Sequence, residues 1–206
     1  MPRIRCERCL RPQSHCLCHL IPCLPSRSRV LILQHPDEVG HALNTARFAA
    51  LGLANAQLEV GETFPELERW LDPAYRACLL FPGETAQTLP LRATADDDRP
   101  LLLVVPDGTW RKARKLLYLN PLLSTLPCVS LPAGLNSRYR LRKAPGEGAL
   151  ATLEAIVAAL ELQEAPQRYD ALLRPFEALI EGQIAAMGEE IFRRNHSGSV
   201  TSKEEP

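Results

Sequence analysis

Asp107-Gly108-Thr109-Trp110 sets a carboxylate and an indole within one turn of chain, directly after the apolar run Leu101-Leu102-Leu103-Val104-Val105. A continuous apolar run of this length is what a strand covered on both faces requires. Pro106 is expected to end the strand, and Gly108 permits a tight backbone. Thr109 is placed to cap a helix whose apolar positions Ala113, Leu116 and Leu117 share one face. Asp107 then falls at the carboxyl end of a strand, where open α/β sheets bind their ligands. A carboxylate there can orient or accept a proton, and an indole can stack on a ring. Spacing alone leaves open a plainer reading, a capped helix with Trp110 filling the core.

Five of the seven cysteines precede residue 24. Cys6-x-x-Cys9 and Cys16-x-Cys18 are two close pairs on a short loop, a pattern that closes a tetrahedral thiolate shell around Zn²⁺. Four thiolates leave no position for water, so such a metal would be structural. The segment is poor in apolar residues, and metal binding would supply its ordering free energy. His15, His19 and Cys23 are substitute ligands, and a redox-active or unmetallated cluster is the alternative. Arg3, Arg5, Arg8 and Arg11 stand against Glu7 alone, a pattern that suits RNA and equally a solvated surface. Cys78 and Cys128 are isolated and read as ordinary buried thiols.

A second basic stretch, Asn136-Ser137-Arg138-Tyr139-Arg140-Leu141-Arg142-Lys143-Ala144-Pro145, interleaves four cations with a tyrosine. That composition suits an anionic ligand, either RNA phosphate or a small carboxylate, and also a solvated loop. Glu154 sits within a strongly apolar helical stretch, 150–160, and needs a partner there; one of those arginines is the candidate.

These residues need elements to hold them. Arg29-Val30-Leu31-Ile32-Leu33-Gln34 reads as the first strand, ended by His35-Pro36. His35 could contact substrate or simply bond locally. A helix is expected over 41–53, with Asn44, Thr45 and Arg47 in its first turns at the same sheet edge as His35. Short strands are expected at 56–60, 76–81 and 129–131, a short helix at 66–71, and a longer amphipathic helix at 170–194. Residues 94–99, with three consecutive aspartates, read as an exposed loop that is at most a weak metal site. This alternation predicts an α/β domain with a mainly parallel sheet. Phe81-Pro82-Gly83 and Pro106-Asp107-Gly108 punctuate two strands alike, and glycine lets a ligand approach backbone amides, so the two loops could cradle a nucleoside.

Composition narrows the choices. With 24 basic and 24 acidic residues in 206, the chain has no global attraction to nucleic acid, and any such binding must use local patches. No stretch is apolar enough for a membrane span and the first residues lack a signal-peptide core, so a cytoplasmic location is expected. No Gly-x-Gly-x-x-Gly or Gly-Lys-Thr signature supports dinucleotide or P-loop binding.

Taken in order, these motifs resemble the DTW-domain family, relatives of the SPOUT RNA-modifying superfamily. The likeness rests on Cys6-x-x-Cys9 with Cys16-x-Cys18, Gln34-His35-Pro36, Asn44-Thr45-x-Arg47, Phe81-Pro82-Gly83, Asp107-Gly108-Thr109-Trp110, Tyr139-Arg140-Leu141-Arg142-Lys143-Ala144, and Thr152-Leu153-Glu154-Ala155. It runs from Cys6 to about Leu160, and the last helix and tail fall outside it. Where the family usually has a serine before that threonine, this chain has Ala151.

The chain then divides into a zinc knuckle at 1–25, a catalytic domain at 26–194 and a tail at 195–206 whose polar composition reads as disordered; the resemblance implies that the domain is SPOUT-like, with a C-terminal knot in its mainly parallel sheet. It implies a tRNA-uridine aminocarboxypropyltransferase, which moves the 3-amino-3-carboxypropyl group of S-adenosylmethionine to N3 of a uridine and leaves 5′-methylthioadenosine. On that reading the donor lies among Leu80, Phe81, Pro82, Gly83, Pro106, Asp107, Gly108, Thr109, Trp110, Leu131, Tyr139, Arg140, Leu141, Arg142 and Thr152, with Arg140 or Arg142 on its carboxylate. Asp107 is the expected catalytic group. His35, Asn44, Thr45, Arg47, Arg111, Lys112 and Lys115 are the expected contacts to tRNA, and no membrane or obligate protein partner is implied. A SPOUT-type methyltransferase and a non-catalytic zinc-containing RNA-binding protein are the rival readings.

Overall fold

A computed structural model describes residues 4–91, 97–139 and 150–188. Its strands are β1 (Arg29–Gln34), β2 (Ala56–Val60), β3 (Arg76–Leu80), β4 (Gln87–Thr88), β5 (Leu101–Asp107) and β6 (Cys128–Ser130). They form one six-stranded sheet in the order β2-β1-β5-β3-β6-β4. Every pairing is parallel. The helices are α1 (Ala46–Gly52), α2 (Leu67–Trp70), α3 (Trp110–Leu119), α4 (Thr152–Gln163) and α5 (Arg174–Met187). The mainly parallel α/β architecture expected from the alternation of elements is therefore present.

Period-2 alternation explains the unbroken apolar strands. Val30 and Ile32 of β1 and Leu101, Leu103 and Val105 of β5 face one core with α1, α4 and α5. Leu31, Leu33, Leu102 and Val104 face the other, with Leu67 of α2 and Leu116 of α3. Continuing the same alternation, Gln34 and Asp107 point to the α4 side at the carboxyl ends of adjacent strands. From β1 the chain moves outward to β2, then crosses back to fill the opposite side from β3 onward. The crevice between β1 and β5 is thus the switch point of the sheet, where such folds bind ligands.

Several boundaries differ from the sequence reading. The fifth strand does not end at Pro106 but continues to Asp107. Its ladder to β3 stops at Val104, and the Asp107 carbonyl accepts from the main-chain N–H of His35 on the β1 side. By alternation the proline nitrogen points to the side where pairing has already ended, so no ladder bond is lost. The helix expected from His41 begins at Ala46. The preceding turn is closed by its own side chains, with Asn44 Nδ2 donating to the Glu38 carbonyl at 2.9 Å and the Leu43 N–H donating to His41 Nδ1. The helix expected over 170–194 is a 3₁₀ turn, Asp170–Leu173, followed by α5. Gly188, with φ of +87°, ends α5. Strand β4, only two residues long and exposed, carried no periodic signal.

Residues 92–96, 140–149 and 189–206 lie outside the described residues, and with them part of the aspartate-containing stretch 94–99, the last part of the helix expected over 170–194 and the tail expected at 195–206. So do Arg140, Leu141 and Arg142. Among the described residues, no helix is long and apolar enough to cross a membrane.

Candidate active site

Asp107 is the hub of the sheet mouth, and it is only 8% exposed. Its Oδ2 accepts from Gln34 Nε2 at 2.7 Å, and its Oδ1 accepts from Thr152 Oγ1, at the start of α4, at 2.5 Å. Gln34 also donates to Asn44 Oδ1 at 3.3 Å. Burial pushes the Asp107 carboxyl above its ordinary value; the bonds from Thr152 and Gln34 oppose that rise, and the nearby charge of Glu38 adds to it. Each carboxylate oxygen has two lone pairs, so two donors leave acceptor capacity for a substrate N–H.

Gln34 was absent from the site residues named on sequence grounds, although its motif was noted. The signal was available: a polar residue occupies a core-facing position at the end of an otherwise apolar strand. Gly108 then turns the chain tightly. A methyl group there would lie 3.0 Å from Lys112 Cβ and 3.6 Å from His35 Cβ. Thr109 caps α3 as expected, its hydroxyl accepting from the Lys112 N–H at 3.4 Å.

Trp110 does not fill the core. It is 43% exposed and meets Phe81 edge-on, with ring centroids 5.7 Å apart. The strand-end loops of β3 and β5 therefore come together as an aromatic corner beside Asp107. Leu80 and Leu131 are part-buried, while Pro82 and Gly83 are exposed. A Cβ on Gly83 would meet nothing within 4 Å.

The third wall is braced by Glu154. This carboxylate accepts from Ser137 Oγ at 2.7 Å, the Arg138 main-chain N–H at 2.6 Å and the Ala151 N–H at 2.8 Å. Among the described residues, its partners in the basic stretch are thus a backbone amide and a hydroxyl. Arg138 itself pairs with Glu177 of α5 at 2.5 Å. Tyr139 packs edge-on against Phe176, centroids 5.5 Å apart.

Outside this mouth runs a string of ion pairs. Buried His35 accepts from the Asp37 N–H at Nδ1, at 3.3 Å, which leaves Nε2 to donate to Glu62 at 3.0 Å. Glu62 also takes Lys115 at 2.8 Å. Lys112 pairs with Glu38 at 2.8 Å and with Asp37 at 3.5 Å, and the Glu38 bond holds its ammonium above the usual lysine value. His35 is therefore bonded locally. Arg47 donates to the Arg8 carbonyl at 2.9 Å, and Arg11 to the Ala42 carbonyl at 2.8 Å. These two bonds dock the N-terminal cysteine segment on the first turn of α1 and on the loop before it. Thr45 is buried at the start of α1.

Cys6, Cys9, Cys16 and Cys18 gather with all four sulfurs within 4.8 Å of one another. Cys6 lies 3.7 Å from Cys18, and Cys9 lies 3.9 Å from Cys16. Thiolates bound at ~2.3 Å around a tetrahedral ion sit ~3.8 Å apart, so the group fits a closed four-sulfur metal site. The turn is strained to make it: Leu10 takes a φ of +59°, which costs a leucine about 1–2 kcal/mol. Main-chain N–H groups of Cys9 and Arg8 hold Cys6 down to about 6, while burial and the neighbouring sulfurs push Cys18 up to about 12. Thiols packed this closely cannot all ionise without a cation among them.

A buried carboxylate at the switch point of a parallel sheet, flanked by an exposed aromatic corner and a docked four-cysteine segment, defines an α/β domain with a candidate ligand site at its sheet mouth. The DTW domain model matches residues 3–184, and the chain belongs to the DTW domain family. That match reaches well into α5, further than the motifs alone carried the likeness. The chain is 35% identical over 193 residues to tRNA-uridine aminocarboxypropyltransferase 2 of Drosophila melanogaster, covering 88% of this chain and 76% of that one. It is 32% identical over 194 residues to the protein of the same name from Macaca fascicularis, covering 88% and 64%. With tRNA-uridine aminocarboxypropyltransferase A of Arabidopsis thaliana it shares 27% over 188 residues, covering 75% and 70%. The chain therefore spans just under two thirds of the macaque relative. No solved structure matches it.

Proposed function

We propose that the chain transfers the 3-amino-3-carboxypropyl group of S-adenosylmethionine to N3 of a tRNA uridine, releasing 5′-methylthioadenosine. The observation that carries this reading is the buried, twice-bonded Asp107 beside the corner of part-buried Phe81 and exposed Trp110, in a family whose curated relatives are named tRNA-uridine aminocarboxypropyltransferases. The donor substrate supplies an activated carbon at its sulfonium. The chain must select which carbon meets the nucleophile, and misplacement by about 1 Å can cost ~10²-fold in rate.

Leu80, Phe81, Pro82, Gly83, Pro106, Gly108, Thr109, Trp110, Leu131 and Tyr139 surround the donor on this reading, and Arg140 or Arg142 pairs with its carboxylate. Asp107 takes or orients the N3 proton. As the N3–C bond forms, the C–S bond breaks with its electron pair kept on sulfur, and the proton passes through Asp107 to water. Gln34 and Thr152 hold the carboxylate in place, and Asn44 holds Gln34. Arg111 contributes to tRNA, while Lys112, Lys115, His35, Thr45 and Arg47 shape the rim. Cys6, Cys9, Cys16 and Cys18 would hold a structural Zn²⁺, which cross-links the knuckle at 1–25 and takes no part in the reaction. The catalytic domain is of SPOUT type over 26–194, and the enzyme works in the cytoplasm.

Incubation with S-adenosylmethionine and an unmodified tRNA transcript, followed by mass spectrometry of the nucleosides, tests this reading. It expects a uridine heavier by an aminocarboxypropyl group and stoichiometric 5′-methylthioadenosine. Methylated nucleoside with S-adenosylhomocysteine, or no product at all, would overturn it.

A further inference from the structure

The outer face of α3 carries more than a solvated helix needs. At 100° per residue, Trp110, Arg114, Tyr118, Arg111 and Lys115 fall in one arc of about 140°. The buried Ala113 and Leu116 lie on the opposite side. Tyr118 is 84% exposed, the most exposed large hydrophobic side chain among the described residues. The helix contains no acidic residue. Lys115 is shared with Glu62, but among the described residues neither Arg111 nor Arg114 has an acidic partner.

We propose that this face docks the tRNA, with Arg111 and Arg114 on backbone phosphates and the Tyr118 ring stacked on an unpaired base. The proposal rests on the tRNA-modifying function above and adds a binding surface to it. An exposed aromatic ring between unpaired guanidiniums is the composition that single-stranded RNA selects, because every base has a π face and every nucleotide a charge. A rise of 1.5 Å per residue puts Tyr118 about 12 Å along the helix from Trp110. The helix starts three residues after Asp107, so the surface leads directly out of the reaction centre. The ion pairs of Lys112 and Lys115 leave the two arginines as the cations free for phosphate.

Fluorescence anisotropy of the full chain with an unmodified tRNA transcript, over a salt series and without donor, tests the surface. Tyr118→Ala should weaken binding by about 5- to 100-fold at every salt concentration, while Tyr118→Phe keeps the ring and stays within about twofold. The double change Arg111→Gln with Arg114→Gln should also flatten the dependence of log affinity on log salt, by about 0.7–0.9 per phosphate lost. Wild-type affinity and salt slope in Tyr118→Ala would overturn the proposal. So would unchanged tRNA binding with a shift to a smaller species in sedimentation, which would make the face a protein interface. Because binding is read without turnover, Tyr118-dependent binding by a wild-type protein that yields no product would sink the transferase reading and leave this surface standing.

Discussion

Gln34 and Asp107 are register partners on adjacent parallel strands, and their side chains are joined by a 2.7 Å hydrogen bond at the sheet mouth. The bond fixes the carboxylate from below while Thr152 fixes it from α4. Replacing Gln34 with Leu keeps the size and removes the donor. The expected result is a fall in transfer rate of about 10- to 100-fold with tRNA affinity unchanged, since positioning and not binding is lost.

The pH profile should show the buried carboxylate. Burial places the folded Asp107 pKa above that of an ordinary aspartate, so the basic form is lost as pH falls through a value above the usual carboxylate range. Thr152→Ala removes a bond that lowers that pKa and should move the acidic limb of the rate profile upward. Thr152→Ser keeps the hydroxyl and should restore the wild-type limb. An identical limb in wild type and Thr152→Ala would show that the bond does not act on the titrating group.

Ala151 is the N-cap of α4, and Glu154 already returns a carboxylate to its N–H at 2.8 Å. Only the other half of a capping box is missing. Ala151→Ser supplies it and should stabilise the protein by about 1 kcal/mol, read as a rise of about 2–4 °C in Tm for a chain of this size.

Glu164 clamps the start of β1: its carboxylate accepts from the Arg27 and Ser28 N–H groups and from the Tyr169 hydroxyl at 2.6 Å. Burial alone would raise its pKa, but the bonds from Tyr169 and Ser28 outweigh it and hold the group below the ordinary glutamate value. A depressed folded pKa gives stability that is present above the unfolded pKa and lost as pH falls through the folded one. The stability gap between wild type and Glu164→Gln should therefore be widest near neutrality and close in acid, as measured by urea unfolding at several pH values.

The four-cysteine cluster predicts one zinc ion per chain by elemental analysis, and loss of that ion in Cys9→Ser. The variant should also lower Tm, because the Arg47–Arg8 and Arg11–Ala42 bonds that dock the segment depend on an ordered knuckle.

Much of this was legible in the chain. The apolar runs of β1 and β5 fixed two covered strands, and Asp107 fell at a strand end because a turn-and-cap pattern follows it. The two cysteine pairs converged as their spacing required. What escaped was tertiary. Lys112 and Lys115 were expected to contact tRNA, and their pairing with Glu38 and Glu62, acids from other segments, could not be read from the chain. Glu154 finds backbone donors that no side-chain inventory lists. Gln34 stood out by its polar, core-facing place at the end of β1, but its bond to Asp107 appears only once β1 lies beside β5.

The most direct measurement is single-turnover transfer by Asp107→Asn, with donor and tRNA saturating. The substitution keeps shape and removes the base. The account predicts a loss of about 10²- to 10⁴-fold in rate, with donor and tRNA affinities within about twofold of wild type. An Asn variant that makes modified uridine at near wild-type rate would contradict it.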